Sequence, residues 1–394
     1  MTMSNHDIIR EKSSAILEEI ITIREHLHKH PELSFQEFKT STFVQKQLSD
    51  WGISFTTGWV ETGIVALIEP DGSYEKCIAL RADMDALPIQ EMNEVPYKSV
   101  HDGIMHACGH DVHTATLLGA AKIINDMRSE LKHAVKLIFQ PGEEKLPGGA
   151  KLMIDAGVLE NPKVDEIYAL HVFPELEVGK IGLRPGMYMA SCDEIYITVK
   201  GKGGHGAMPH LNIDPIAISA QLIVSLQQIV SRNCPPAIPS VLSFGRIEGL
   251  GATNVIPNNV TIQGTFRTMD EKWRAKAHEL IKKQSELLVQ SFGGTLDIEI
   301  RKGYPYLEND LALTARTKVN TSDFFGESNV IDLPIRLTGE DFAYYGQKIP
   351  ATFIRIGVAN DAKGINFPVH NAKFDIDNSA LTVGIQTLLT ICFY

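Results

Sequence analysis

The sequence predicts an α/β sandwich with a mostly parallel sheet, interrupted by a smaller α+β domain. Three observations carry that prediction. Several segments are continuous apolar runs, the pattern of strands buried on both faces. Others alternate apolar and polar residues, as half-exposed antiparallel strands do. At 394 residues the chain also exceeds what one ordinary core supports, so two domains are expected.

The elements follow in order. The opening segment has helical spacing, with Ile16, Ile20, Ile23 and Leu27 on one stripe. CIALRAD (77–83) and AVKLIFQP (134–141) are apolar strand runs, and TATLLGAAKIIND (114–126) between them reads as a helix. EIYALHV (166–172) and ATFIRIGV (351–358) are further buried strands. The middle of the chain changes character. In EIYITVK (194–200), Ile195, Ile197 and Val199 alternate with Tyr196, Thr198 and Lys200, and the same period recurs in VTIQGTF (260–266) and LDIEI (296–300). One helix opens at Asp214-Pro215, a capping residue followed by proline in the first turn, and runs to about Asn233. Another starts near Asp270 and stops at Gly293-Gly294. Strand, helix, strand, strand, helix, strand is the order of a ferredoxin-like unit. Residues 191–304 are therefore expected to form a small domain inserted into a larger one made of 1–190 and 305–394. There is no internal repeat and no low-complexity tract.

Composition narrows the function. Hydrophobic content of 44% and charged content of 22% belong to an ordered globular chain. A net charge of −11 argues against a nucleic-acid or anionic-membrane partner, since both need a basic face. No segment approaches the roughly 20 apolar residues of a membrane span, and the first twenty residues lack a signal peptide's apolar run. The five cysteines are scattered, with no CxxC pair, which fits reduced thiols in a cytoplasmic protein.

Reactive side chains concentrate in HACGHDVH (106–113), where three histidines, a cysteine and an aspartate crowd into eight positions. Buried polar groups need partners, and the candidates are a metal ion, a thiol nucleophile with its base, or a wet polar loop. Other polar groups fall just past predicted strands: Asp83 and Asp85 in LRADMDALP, Glu143 and Glu144 in LIFQPGEE, His171 in IYALHV, and His370 in PVHNAKF. Ligands of open α/β sheets gather outside the carboxyl ends of the strands, so these groups are expected at one edge. One thiol, several imidazoles and a carboxylate suit a borderline divalent ion: zinc or manganese, with cobalt or nickel as alternatives. Cys108 and His110, separated by Gly109, could serve one ion or bridge two, with Glu144, His171 and His370 completing the set. Glu143 is then free to act as the base that activates water.

These segments resemble the aminoacylase and carboxypeptidase-like binuclear metallohydrolases, specifically the amidohydrolase branch of hippurate hydrolases, indole-acetyl-amino-acid hydrolases and N-acetyl-diaminopimelate deacetylases. The resemblance rests on HLHKHPELSFQE (26–37), LRADMDALPIQE (80–91), HACGHDVHTA (106–115), FQPGEE (139–144), GKGGHGAMPH (201–210), NVIP (254–257), GTFRT (264–268) and TGEDFAYY (338–345), in that order along nearly the whole chain. It implies a metal-dependent amidohydrolase acting on N-acyl amino acids, with two divalent ions per subunit and an inserted lid that also makes a homodimer. It makes Cys108, His110, Glu144, His171 and His370 the metal ligands, Cys108 the bridge, and Glu143 the general base. His205 would reach the neighbouring subunit's site and bind the oxyanion, Asn254 and Arg267 would hold the substrate's carboxylate, and Asp85 would orient a ligand histidine. Asp83 stands where relatives outside this branch carry a ligand histidine.

Other residues have plainer expectations. His26, His28 and His30 should cap their helix or form its exposed last turn, His106 and His113 should be hydrogen-bonded core histidines, and His133 and His278 should face solvent from helices. Cys77, Cys192, Cys234 and Cys392 read as buried small hydrophobes. GKGGHG lacks the lysine-serine ending of a phosphate loop. Two other functions stay open: a cysteine hydrolase with Cys108 as nucleophile and His110 or His113 as base, and a non-catalytic carboxylate-binding relative.

Overall fold

A computed structural model describes residues 4–394, so the first three residues of the expected larger domain lie outside it. The chain forms two compact units. One runs to Gly186 and resumes over Glu308–Pro334 and Asp341–Tyr394; the other comprises Met187–Leu307 and Ile335–Glu340. Segment Ile335–Glu340 thus goes with the second unit, although the sequence places it in the stretch 305–394.

The larger unit is an α/β sandwich. Its eight-stranded sheet runs in the order Phe55–Trp59, Gly63–Ile68, Ala134–Gln140, Cys77–Asp83, Glu166–Glu177, Ala351–Ala359, Ile181–Leu183, Val330–Asp332. The central pairings, from Ala134–Gln140 through Cys77–Asp83 and Glu166–Glu177 to Ala351–Ala359, are all parallel. These are the continuous apolar runs of the sequence, and three of the four strands are buried at every position. Helix His110–Asp126 packs against the sheet and against helix Ser379–Phe393 so closely that a Cβ on Gly119 would lie 2.6 Å from Ile385 Cδ1. The opening segment forms two helices, Asn5–Ala15 and Leu17–Lys29; the second carries Ile20, Ile23 and Leu27 of the apolar stripe, and Ile16 stands at the break between them.

The second unit has a four-stranded antiparallel sheet in the order Ser240–Glu248, Asn259–Thr268, Asp193–Lys200, Thr295–Lys302. With helices Pro215–Gln228 and Glu271–Ser291 this is the ferredoxin-like order that the alternating segments predict. The inward residues of the alternation, Ile195, Ile197 and Val199, pack with Leu222, Phe266, Trp273 and Ile281. Helix Pro215–Gln228 gives way to a π turn over Ile229–Asn233, which accounts for the expected end near Asn233. Asp214 and Asp270 cap the two helices through their side chains.

A buried charge fixes this unit. Asp193 accepts hydrogen bonds from Arg274 Nε at 2.9 Å, His278 Nε2 at 2.7 Å and the Gly303 amide at 3.0 Å. His278 is therefore half-buried and bonded, not the solvent-facing residue its helical position suggests. Burial opposes the carboxylate's charge, but His278 and Arg274 hold Asp193 down to about 2. Because its folded value lies below the unfolded one, the stabilisation is present above about pH 4. It is lost as pH falls through about 2. Asp193→Ala leaves the buried Arg274 guanidinium with only the partly exposed Glu271 as an acid partner, at 3.0 Å, and is expected to cost roughly 3–5 kcal/mol, measured by denaturant unfolding. A loss near zero would show that the charge cluster does not hold this unit together.

Candidate metal centre

Local structure delivers each candidate group to one edge of the large sheet. Asp83 ends strand Cys77–Asp83, and Glu143 and Glu144 follow strand Ala134–Gln140. His110 is the first residue of helix His110–Asp126. The residue before it must be glycine: Gly109 has φ +86°, and a Cβ there would lie 2.5 Å from Val172 Cγ2. His171 does not end its strand, which continues to Glu177. The neighbouring strand pairs with it only as far as Arg81 opposite Ala169, so His171 still emerges at the shared edge. His370 lies between strand Ala351–Ala359 and helix Ser379–Phe393. It holds the left-handed conformation, φ +64°, at a cost on the order of 1–2 kcal/mol. Its amide donates to Ala107 O at 2.7 Å, which ties this loop to the HACGHDVH segment.

The groups converge. One donor atom from each of Cys108, His110 and His171 lies within 4.8 Å of the others, and the same holds for Cys108, Glu144 and His370 and for His110, Glu143 and Glu144. Cys108 Sγ is 3.5 Å from His171 Nε2, and His370 Nε2 is 3.2 Å from Glu144 Oε1. Two imidazoles have their orientation fixed from behind. His110 Nδ1 faces Asp85 Oδ1 at 3.1 Å, and His171 Nδ1 donates to Val172 O at 2.8 Å, so each presents Nε2 to the cluster. Asp85 Oδ2 accepts from Ser34 Oγ at 2.6 Å and from the Glu144 amide at 2.9 Å. Glu143 is buried, and its Oε1 receives the Asp341 amide at 3.4 Å.

The donor set fits a divalent cation. His110 Nε2 is buried with no hydrogen-bond partner among the described residues, and the buried Glu144 Oε1 faces His370 Nε2, itself a metal-ligand type, at 3.2 Å. Burial, then Glu144 and Glu143, push the Cys108 thiol well above its usual range. Burial opposes charge on His110, but Asp83 and Asp85 hold it up to about 10. Crowded acids that force protons onto their neighbours are what a bound cation would relieve, deprotonating thiol and imidazole alike.

Among the other residues some meet expectation and some depart from it. His113 is a bonded core histidine: Val172 N donates to its Nε2 at 2.9 Å, so Nδ1 carries the proton given to Asp83 at 2.6 Å. With both nitrogens engaged, it can serve neither as ligand nor as base for a thiol. Asp83 is held by Arg81 Nη1 at 2.5 Å as well, which explains its buried carboxylate without a ligand role. His106 is buried, but neither of its nitrogens has a hydrogen-bond partner among the described residues, and burial lowers it to about 4. His28 is fully buried, not exposed: its Nδ1 faces Asp111 at 2.8 Å and its Nε2 Glu91 at 3.2 Å. His133 lies half-buried in a turn rather than on a helix, and Cys192 and Cys234 are half-buried. Sequence reasoning missed the ion pair of Arg81 with Asp341 at 2.6 Å, whose second oxygen takes the Ala150 amide at 2.9 Å. Its only sequence signal is an arginine inside a buried strand. His205, Asn254 and Arg267 belong to the second unit. There the Gly206 amide donates to Asn254 O at 2.8 Å, and Arg267 Nε donates to Thr265 Oγ1 at 3.2 Å.

An α/β sandwich that gathers a thiol, imidazoles and acids at the carboxyl edge of its sheet is the framework of a hydrolase of amide bonds. Comparison with known proteins narrows the class. The family model for Peptidase family M20/M25/M40 matches residues 79–393. N-acetyl-L-cysteine deacetylase of Bacillus subtilis is 41% identical over 368 residues, 93% of this chain and 86% of that one. IAA-amino acid hydrolase ILR1-like 4 of Arabidopsis thaliana is 38% identical over 93% of this chain and 83% of its own. Among solved structures, the Bacillus subtilis YXEP protein, described as a dinuclear metal binding peptidase from the M20 family, superposes with a TM-score of 0.83. It is 34% identical, over 96% of this chain and 98% of that one. This chain belongs to Peptidase family M20/M25/M40.

Proposed function

We propose that this chain hydrolyses the amide bond of N-acyl amino acids, giving a carboxylate and a free amino acid, with two divalent ions held by Cys108, His110, Glu144, His171 and His370. The observation that carries the reading is the convergence of those donors around Cys108 with Glu143 beside them. Cys108, which stands with His110 and His171 on one side and with Glu144 and His370 on the other, would be the ligand shared between them. Zinc or manganese best suits one sulfur with nitrogen and oxygen donors, followed by cobalt or nickel. When bound, such ions supply Lewis acidity and a water that ionises near neutral pH.

The chain's own residues do the rest. Asp85 holds His110 in the tautomer whose Nε2 is a lone-pair donor. Glu143 takes the proton of the attacking water and returns it to the leaving amine. The second unit acts as lid and dimer surface, and its His205 serves the site of a second copy. The Ala207 amide donates to His205 Nδ1 at 3.0 Å, so the ring's proton sits on Nε2, where it can stabilise the oxyanion. Asn254 and Arg267 take the substrate's carboxylate. The names of the deacetylase and hydrolase relatives support the substrate class. The five cysteines are free, as a reducing compartment would keep them, and we place the enzyme in the cytoplasm.

A cysteine nucleophile is disfavoured by the same geometry: burial and the flanking carboxylates raise the Cys108 thiol, the opposite of thiolate activation. The direct test is a panel of hippurate, N-acetyl amino acids, N-acetyl-diaminopimelate and indole-acetyl conjugates, with zinc or manganese added. Cleavage of none of them would overturn the reading. His205→Ala should reduce kcat by roughly 2.7–4 kcal/mol of transition-state stabilisation with the fold intact by circular dichroism. An unchanged rate would remove His205 from the reaction.

A further inference from the structure

The HPELSFQE segment (30–37) holds none of the proposed metal ligands, yet its side chains reach the groups around them. Glu37 is completely buried. Its Oε1 accepts from the Gly142 amide at 2.9 Å and from the Phe35 amide at 2.8 Å, and its Oε2 accepts from Thr62 Oγ1 at 2.8 Å. Gly142 is the residue immediately before Glu143. It holds φ +62°, and a Cβ on it would lie 2.4 Å from the Phe35 ring, so the turn rests directly on that ring. Phe35 itself has φ +64°, an outlier for a bulky residue that its amide bond to Glu37 maintains. One residue earlier, Ser34 donates to Asp85, the partner of His110. A single short segment therefore braces both the turn after Ala134–Gln140 and the carboxylate behind His110.

We propose that Glu37 is a positioning residue for the reaction: its carboxylate pins the Pro141–Gly142 turn, and so fixes where the adjacent Glu143 and Glu144 side chains are delivered. This rests on the amidohydrolase reading above. Glu37 is buried and acts through the backbone of Gly142. What matters is a correctly placed acceptor, not its charge. Glutamine can keep its oxygen on the two amides while its NH2 group donates to Thr62 Oγ1. Aspartate keeps the charge but falls one methylene short of the amides.

The test compares Glu37→Asp with Glu37→Gln in the full chain, loaded with zinc or manganese and assayed on an N-acetyl amino acid. Glu37→Asp is expected to lower kcat by about 10²-fold, the size of effect that misplacement of a reacting group by an ångström produces, with KM little changed. Glu37→Gln is expected to stay close to the wild type. Amide hydrogen exchange supplies a readout independent of turnover: residues 139–144 should exchange faster in Glu37→Asp and normally in Glu37→Gln. The proposal is overturned if Glu37→Asp keeps both wild-type kcat and wild-type exchange, or loses thermal stability with kcat unchanged. Equal impairment of the two variants also overturns it, because charge rather than placement would then be required. If the wild type cleaves no amide, the functional reading fails, and the exchange comparison still decides whether Glu37 pins the turn.

Discussion

Glu143→Gln should leave a folded protein that still binds two divalent ions but turns over at a rate reduced by about 10²–10⁴-fold, the usual contribution of a positioned general base. The substitution is close to isosteric. The Asp341 amide that donates to Glu143 Oε1 can donate to the carboxamide oxygen instead. What is lost is the capacity to accept a proton from water and deliver it to the amine. The measurement pairs kcat on an N-acetyl amino acid with metal content by elemental analysis. Turnover within tenfold of the wild type would take Glu143 out of the mechanism. Loss of metal together with turnover would instead place it among the ligands.

Removal of the cations is expected to have the other large effect. A strong chelator should abolish activity, and zinc or manganese should restore it. Binding to the folded state alone stabilises it by about 2.7 kcal/mol at a free concentration of 100 Kd and about 4.1 kcal/mol at 1,000 Kd, so the chelated protein should also melt earlier. The pH dependence follows from the donors. Burial and the neighbouring acids hold the Cys108 thiol high, and binding must expel that proton. Affinity should therefore fall as pH is lowered, with proton release on binding detectable in weakly buffered titrations. Full activity after exhaustive chelation would remove the cations from the reaction.

Much of this was legible in the sequence because the signals are local. Continuous apolar runs identify the four parallel strands, and strict alternation identifies the antiparallel ones, since burial on two faces or one dictates those patterns. Cys108, His110 and Glu144 were legible because each sits within a few residues of a strand end or helix start, whereas His171 lies inside its strand and His370 in a long loop, where residue type rather than position marks them. Failures came where a distant partner decides the environment. His28 lies at the end of its helix, where exposure is the default, but Asp111, 83 residues away, buries it. His278 is drawn inward by Asp193 across 85 residues, and Glu37 reaches Gly142 across 105. No periodicity encodes such pairings. Strand Ser240–Glu248 is counted in the ferredoxin-like order but no segment marks it in the sequence, because it is largely exposed and its burial does not alternate.

The position of strand Ala351–Ala359 has a consequence for how the molecule comes into being. It lies between Glu166–Glu177 and Ile181–Leu183, and Arg24 pairs with Asp375 over 351 residues of chain. On the ribosome, the larger unit's sheet therefore stays cleft in two until residues 351–359 are synthesised. All four strands of the smaller antiparallel sheet are available well before that point. The edge that carries the candidate donors is completed only then, so translation that stops short of residue 351 leaves strand Glu166–Glu177 unpaired on one side and helix His110–Asp126 without helix Ser379–Phe393 against it, a substrate for chaperones rather than an enzyme.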